Sequence, residues 1–207
     1  EWFASSGAAA QPGPCEEAPP LAVLMHLARQ ATGAGEAGWV VWVGRRCWPY
    51  PHSLTRPGEV TIRRSLLVDP ADAASRLWAM SLATRCADVA AVIGDGQGLD
   101  MAATRRLQLA ARDADTPVLL ARAAVERGEV SAAATRWHVS PTPSPTDQPR
   151  WRLELWRCKG MQDRTGTDAT RSWIVEHHRA TGLVVVSPAT ADRAASTPGR
   201  GRTKRSA

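Results

Sequence analysis

Cysteine is sparse in this sequence, and its spacing excludes two common uses. Cys15, Cys47, Cys86 and Cys158 lie far apart and form no C-x-x-C pair. That removes the usual zinc-ligand spacing and leaves no recognisable disulfide framework. The four read as reduced thiols, which points to a cytoplasmic protein. Long apolar runs are missing too. No stretch approaches the roughly 20 apolar residues that a membrane helix needs. His177 and His178 are neighbours on an expected strand, so their side chains point to opposite faces and a shared metal is not expected. Lysine does not occur before Lys159.

What is present suits a globular domain. The 207 residues are 43% apolar and 22% charged, enough for one substantial core. The chain opens at Glu1 rather than Met, so the domain reads as N-terminally incomplete. The net charge of +6 is unevenly placed. Arg200, Arg202, Lys204 and Arg205 fall in the last ten residues with no acid among them. Residues 1–188 are left with a charge of about +2, too little for a strongly basic nucleic-acid domain. Residues 189–207 are therefore expected to be a disordered basic tail, either simply solvated or in transient contact with nucleic acid.

Along the chain, apolar periodicity alternates between strand and helix. "EWF" at 1–3 reads as the end of a strand, and residues 4–18 as an Ala/Gly/Ser/Pro-rich loop. Pro19 and Pro20 suit the start of a helix carrying Leu21, Leu24, Leu27, Ala28 and Ala31. "GWVVWVG" (38–44), "SLLVD" (65–69), "DVAAVIG" (88–94) and "TPVLLAR" (116–122) read as strands, the first and third buried on both faces. Between them fall a helix capped by Asp69, with Pro70 and Asp72 in its first turn, and a helix 101–114 capped by Asp100. The first of these carries Leu77, Trp78, Ser81 and Leu82 on one side. After residue 130 the helices stop. "TRWHVSP" (135–141), "RWRLELWRCKG" (150–160), "SWIVEHH" (172–178) and "GLVVVSP" (182–188) read as strands, with a tight turn at 180–182. The alternation of Trp151, Leu153 and Leu155 against Arg152, Glu154 and Trp156 marks antiparallel strands at a sheet edge. Trp39, Trp42, Trp137, Trp151 and Trp156 are expected mainly to pack the core. The fold class is α/β, a mostly parallel sheet flanked by helices with C-terminal antiparallel strands.

This order resembles the RecA-like fold. "VAAVIGDGQGLDMAATRRLQLAA" looks like the Walker B strand and its following helix. "SAAATRWHVSP" with "RWRLELWRCKG" looks like the late strand pair. "RSLLVDPADAASRLWAMSLATR" and "RRLQLAA" are similar to segments of ImuA-type proteins, RecA-related accessories of error-prone DNA synthesis. The resemblance covers most of residues 1–188. It implies a role in damage-induced mutagenesis, with an ImuB-like Y-family polymerase homologue and an error-prone polymerase as partners.

The departures bear on mechanism. A Walker A loop needs glycines whose N–H groups wrap the phosphates, a Lys for the β/γ-phosphates and a Ser or Thr for Mg²⁺. The matching stretch, "ASSGAAAQPGPCEEAPP", keeps Gly7 and Gly13 but has no Lys. Its prolines donate no backbone hydrogen bond. Asp95 stands at the Walker B position. By the same alignment Arg46 stands near the catalytic Glu, and a guanidinium does not take up a proton. The expectation is a pseudo-ATPase without cofactor or metal. Two alternatives stay open: a DNA-binding RecA homologue of recombination and repair, and an NTPase with an unusual phosphate loop. The stretches matching the DNA-contacting loops of RecA, "DGQGLD" and "ARAAVERGEV", are short. "RRCWPYPHS" (45–53) gathers Arg45, Arg46, Trp48, Tyr50 and His52 in one loop. Such residues stack on bases and are equally favoured at protein interfaces. With the tail cations, they are the candidate contact residues for a partner or DNA.

The tail has little apolar content to bury. Truncation after Pro188 is expected to leave the melting temperature unchanged. A fall of more than about 5 °C, over 1 kcal/mol for a domain of this size, would show that the tail docks.

Overall fold

The computed structural model describes residues 1–5, 19–33, 38–50, 62–160, 171–178 and 182–186. The described elements are β1 (Trp2–Ala4), α1 (Leu21–Thr32), β2 (Trp39–Val43), β3 (Ser65–Val68), α2 (Ala73–Thr84), β4 (Val89–Asp95), α3 (Met101–Ala114), β5 (Val118–Arg122), β6 (Thr135–Thr142), β7 (Arg150–Cys158), β8 (Arg171–His178) and β9 (Gly182–Val186). They build one nine-stranded sheet in the order β3-β2-β4-β5-β1-β6-β7-β8-β9. The pairings from β3 through β6 are parallel. Those from β6 to β9 are antiparallel. The expected mixed α/β architecture is the observed one.

The layering follows from side-chain alternation. Val40 and Trp42 of β2, with Ala91 and Ile93 of β4, point toward α1 and pack on Val23, Leu24 and Ala28. Val41, Val43 and Val92 point the other way, toward Met80 of α2 and Leu107 of α3. A strand covered on both sides must be apolar throughout, which is why β2 reads WVVWV. β7 carries its alternation as expected: Trp151 and Leu153 extend the α1-side core, while Trp156 lies on the opposite face against Phe3 and His138.

Three local expectations are corrected. Asp72, not Asp69, caps α2; its extended backbone lets its carboxylate accept from the Ser75 N–H at 2.7 Å. Asp69 instead pairs with Arg45. The buried side of α2 centres on Met80, Ser81 and Thr84, while Trp78 and Leu82 face outward. Packing against β4 and α3 sets the helix's rotation, and Gly94 leaves the space that the Met80 side chain fills. Of the strand tryptophans, Trp42 is fully buried, whereas Trp39 is exposed at the start of β2. Asp100 caps α3 as expected, accepting from Ala103 N–H at 2.7 Å. Among the described residues, no helix is long and apolar enough to cross a membrane.

One histidine ties the helical layer to the antiparallel edge. His26 of α1 accepts the Leu183 N–H of β9 on its Nδ1 at 3.2 Å, and only a neutral ring can do so. Burial first, then the charges of Arg29 and His177, hold its pKa below the ordinary value. In the unfolded chain the ring titrates near about 6.5. The contact therefore contributes fully above that pH. Its contribution declines as pH falls through 6.5 toward the folded value, because the unfolded chain takes the proton first. Melting temperatures measured between pH 7.5 and 5.5 are expected to fall, and to fall less steeply in His26→Gln. Equal slopes would remove His26 from the account.

Candidate functional site

The carboxyl ends of parallel strands are where α/β sheets present ligand-binding loops. Here they converge on Asp95, the last residue of β4. β2 lies beside β4 and ends level with it, Val43 opposite Gly94. Gly44 follows at φ +93°, and a Cβ there would sit 2.9 Å from the Asp95 Cβ. Glycine is thus required for the chain to turn this close to the carboxylate. The turn Arg45–Cys47 then swings Arg46 over β4.

Asp95 is 5% exposed and is held from two sides. Its Oδ1 accepts from Arg46 Nη1 at 3.3 Å and from the Gln97 N–H at 3.1 Å. Arg46 Nη1 also donates to Gln97 Oε1. Arg76 of α2 donates to the Gln97 carbonyl at 2.6 Å. The Asp95 carboxylate thus faces a guanidinium.

The candidate loop is divided by its own geometry. Arg46 and Trp48 turn inward, Trp48 packing against the α1-side core. Among the described residues, the buried Trp48 indole N–H has no hydrogen-bond partner. Arg45 and Tyr50 turn outward, Tyr50 being 74% exposed. Arg45 lies 5.9 Å from the Trp48 ring centroid and 2.7 Å from Asp69. His52 and the tail cations Arg200, Arg202, Lys204 and Arg205 lie outside the described residues, as does the stretch 6–18.

Two further networks flank the site, and neither has a signal in the sequence. Arg122, at the end of β5, is buried between Glu1 at 2.9 Å and Glu126 at 3.1 Å. Burial alone would lower its pKa, but the bonds to these carboxylates raise it. Glu126 also accepts the Gly98 N–H at 2.7 Å, which fastens the turn after Asp95. Beyond β1, Ser5 Oγ lies 2.9 Å from His138 Nε2, and His138 Nδ1 lies 3.1 Å from Glu154. The imidazole is stacked on Trp156, centroids 4.7 Å apart. This line of hydroxyl, imidazole and carboxylate ties β1 to β6 and β7 and satisfies both ring nitrogens. Its members are far apart in the chain and meet only through strand pairing.

Cys47 sits beneath the site. Burial, and then the charge of Asp95, push its thiol up to about 12. A thiol so suppressed is a poor nucleophile. Iodoacetamide at pH 8 is expected to alkylate the exposed Cys86 and spare Cys47 until denaturant is added. Peptide mass mapping reads the order, and early modification of Cys47 would show that the loop opens.

No protein-family profile matches the chain. The crystal structure of SulA from Pseudomonas aeruginosa is similar at a TM-score of 0.41 and 23% identity, covering 59% of this chain and 97% of that one. Protein ImuA of Caulobacter vibrioides, in each of two strains, is 34% identical, the alignment covering 79% of this chain and 70% of the relative. Identity at that level across so much of both proteins shows that the chain belongs to the ImuA family.

Proposed function

We propose that the protein is a non-catalytic, RecA-like accessory of error-prone DNA synthesis in the DNA-damage response, acting by holding other proteins. Membership of the ImuA family supports the setting. The partners that follow are an ImuB-like Y-family polymerase homologue and an error-prone polymerase, met in the cytoplasm. The non-catalytic part rests on one observation, the Arg46–Asp95 pair. Phosphoryl transfer depends on metal and cationic groups around the phosphates and on a residue that orients the nucleophile. In this reading Arg46 occupies the base position and neutralises the carboxylate that would serve the metal. The first eighteen residues, which would hold the phosphate loop, contribute no lysine.

A second reading is favoured by the outward face of the same loop. Arg45 and Tyr50 point into solvent beside Trp48, an arrangement suited to stacking on single-stranded bases.

Both readings are tested on the full chain. ATP turnover is expected below about 1 per minute, far under the roughly 1–100 per second of working kinases, and indifferent to Asp95→Ala. Turnover above that level and abolished by Asp95→Ala would overturn the pseudo-ATPase reading. Single-stranded DNA is expected to bind weakly and to be released steeply by salt, because the tail cations would carry the contact. If the double variant Arg45→Ala/Tyr50→Ala loses tenfold or more in DNA affinity and keeps its affinity for the ImuB-like partner, the base-stacking reading replaces the scaffold.

A further inference from the structure

The β3 edge of the sheet carries an apolar surface that the Asp95 site does not use. β3 closes the sheet on that side, with β2 as its one strand neighbour among the described residues. Among the described residues nothing pairs with its outer edge, which leaves backbone groups for another strand. Leu66 stands in register with Val41, on the α2 side, and Leu67 with Trp42, on the α1 side. They are nonetheless 52% and 41% exposed. Soluble proteins usually guard such an edge with charge or proline, and the strand Ser65–Val68 contains neither. α2 adds Trp78 and Leu82, four residues apart on one helix face and 61% and 50% exposed. Between strand and helix runs a groove of about 550 Å³, lined by Val68, Pro70, Ala74, Ser75, Trp78 and Ala79.

The charges around this edge are self-complementary. Arg63 and Arg64 stand exposed just before β3; Asp69, which also pairs with Arg45, and Asp72, the α2 cap, stand exposed just after it. An antiparallel strand reverses that order. With the register centred on Leu66 or Leu67, Arg63 and Arg64 come level with residues 68–71 of a second copy, beside its aspartates. A two-fold axis at the strand centre repeats the match at the other end, as an isologous interface requires. It also sets Leu66 of the two copies, or Leu67 of the two copies, directly opposite each other. A parallel arrangement of the two edges would instead set arginine against arginine.

We propose that the β3 edge is a homodimer interface, at which two copies of this chain pair antiparallel through β3 into one continuous sheet. The apolar α2 faces flank the seam. The inference rests on this surface alone and is independent of what the Asp95 site does.

Analytical ultracentrifugation of the full chain, across about 1 to 100 µM, tests it. The expected species is twice the 22.2 kDa chain. Leu67→Lys changes an exposed position and is expected to weaken the dimer tenfold or more without lowering the melting temperature of the dilute monomer. Arg63→Glu with Arg64→Glu should do the same, and adding Asp69→Lys should restore part of the association. Hydrogen exchange at Ser65–Val68 is expected to slow as concentration rises. A monomer at 100 µM, or a dimer indifferent to Leu67→Lys and to the charge reversals, overturns the proposal. So does an edge protected equally at all concentrations, which would mean that another part of the same chain covers it.

Discussion

The parallel pairing of β2 with β4 is the constraint on which the other features depend. Both strands are buried on both faces, β2 by Val40 through Val43 and β4 by Ala91 through Ile93. Burying continuous apolar strands is the largest favourable term available to a domain of this size. The register then leaves no freedom at the carboxyl ends: Val43 is level with Gly94, and the next residues must share one small space. Gly44 and Gly94 are the local consequences. One keeps a side chain off Asp95; the other makes room for Met80. A larger residue at either point would push apart the strands that hold the site together.

That shared space decides the chemistry of Asp95. A buried carboxylate needs a charge partner or several hydrogen bonds to offset the loss of water. Here it has Arg46 and the Gln97 N–H, while Arg76 steadies the Gln97 carbonyl. The requirement is met from within the chain. The Glu126 bond to Gly98 and the Arg122 pairs beyond it extend the same bonded frame toward β1. Arg45 and Tyr50, and beside them the Leu66–Leu67 edge, are directed outward and suited to contact.

Most of the architecture was legible in the sequence, for reasons of period. Runs such as WVVWV cannot be half-exposed strands, and the alternation in RWRLELWRC cannot be a helix. Asp100 announced α3 because a carboxylate before an apolar-periodic segment is a cap. The same logic misplaced the start of α2. Two aspartates, Asp69 and Asp72, stand near it, and local sequence offers nothing to choose between them. Arg45, distant in the chain, engages the first and leaves the second to cap.

The sequence by itself determined the element order, the α/β class, the absence of a lysine from the first eighteen residues and the nearness of Asp95 to a strand end. These follow from composition and short-range periodicity, which need no knowledge of distant partners. Only the tertiary structure decided that Arg46 closes on Asp95, that Trp48 turns in while Tyr50 turns out, and that Ser5, His138 and Glu154 meet. It also decided that α2 buries Met80 and leaves Trp78 in solvent beside the β3 edge. Each depends on strand register and helix rotation, which are set by packing between segments tens of residues apart. No local pattern carries that information, because the same side chains satisfy the same local rules in either orientation.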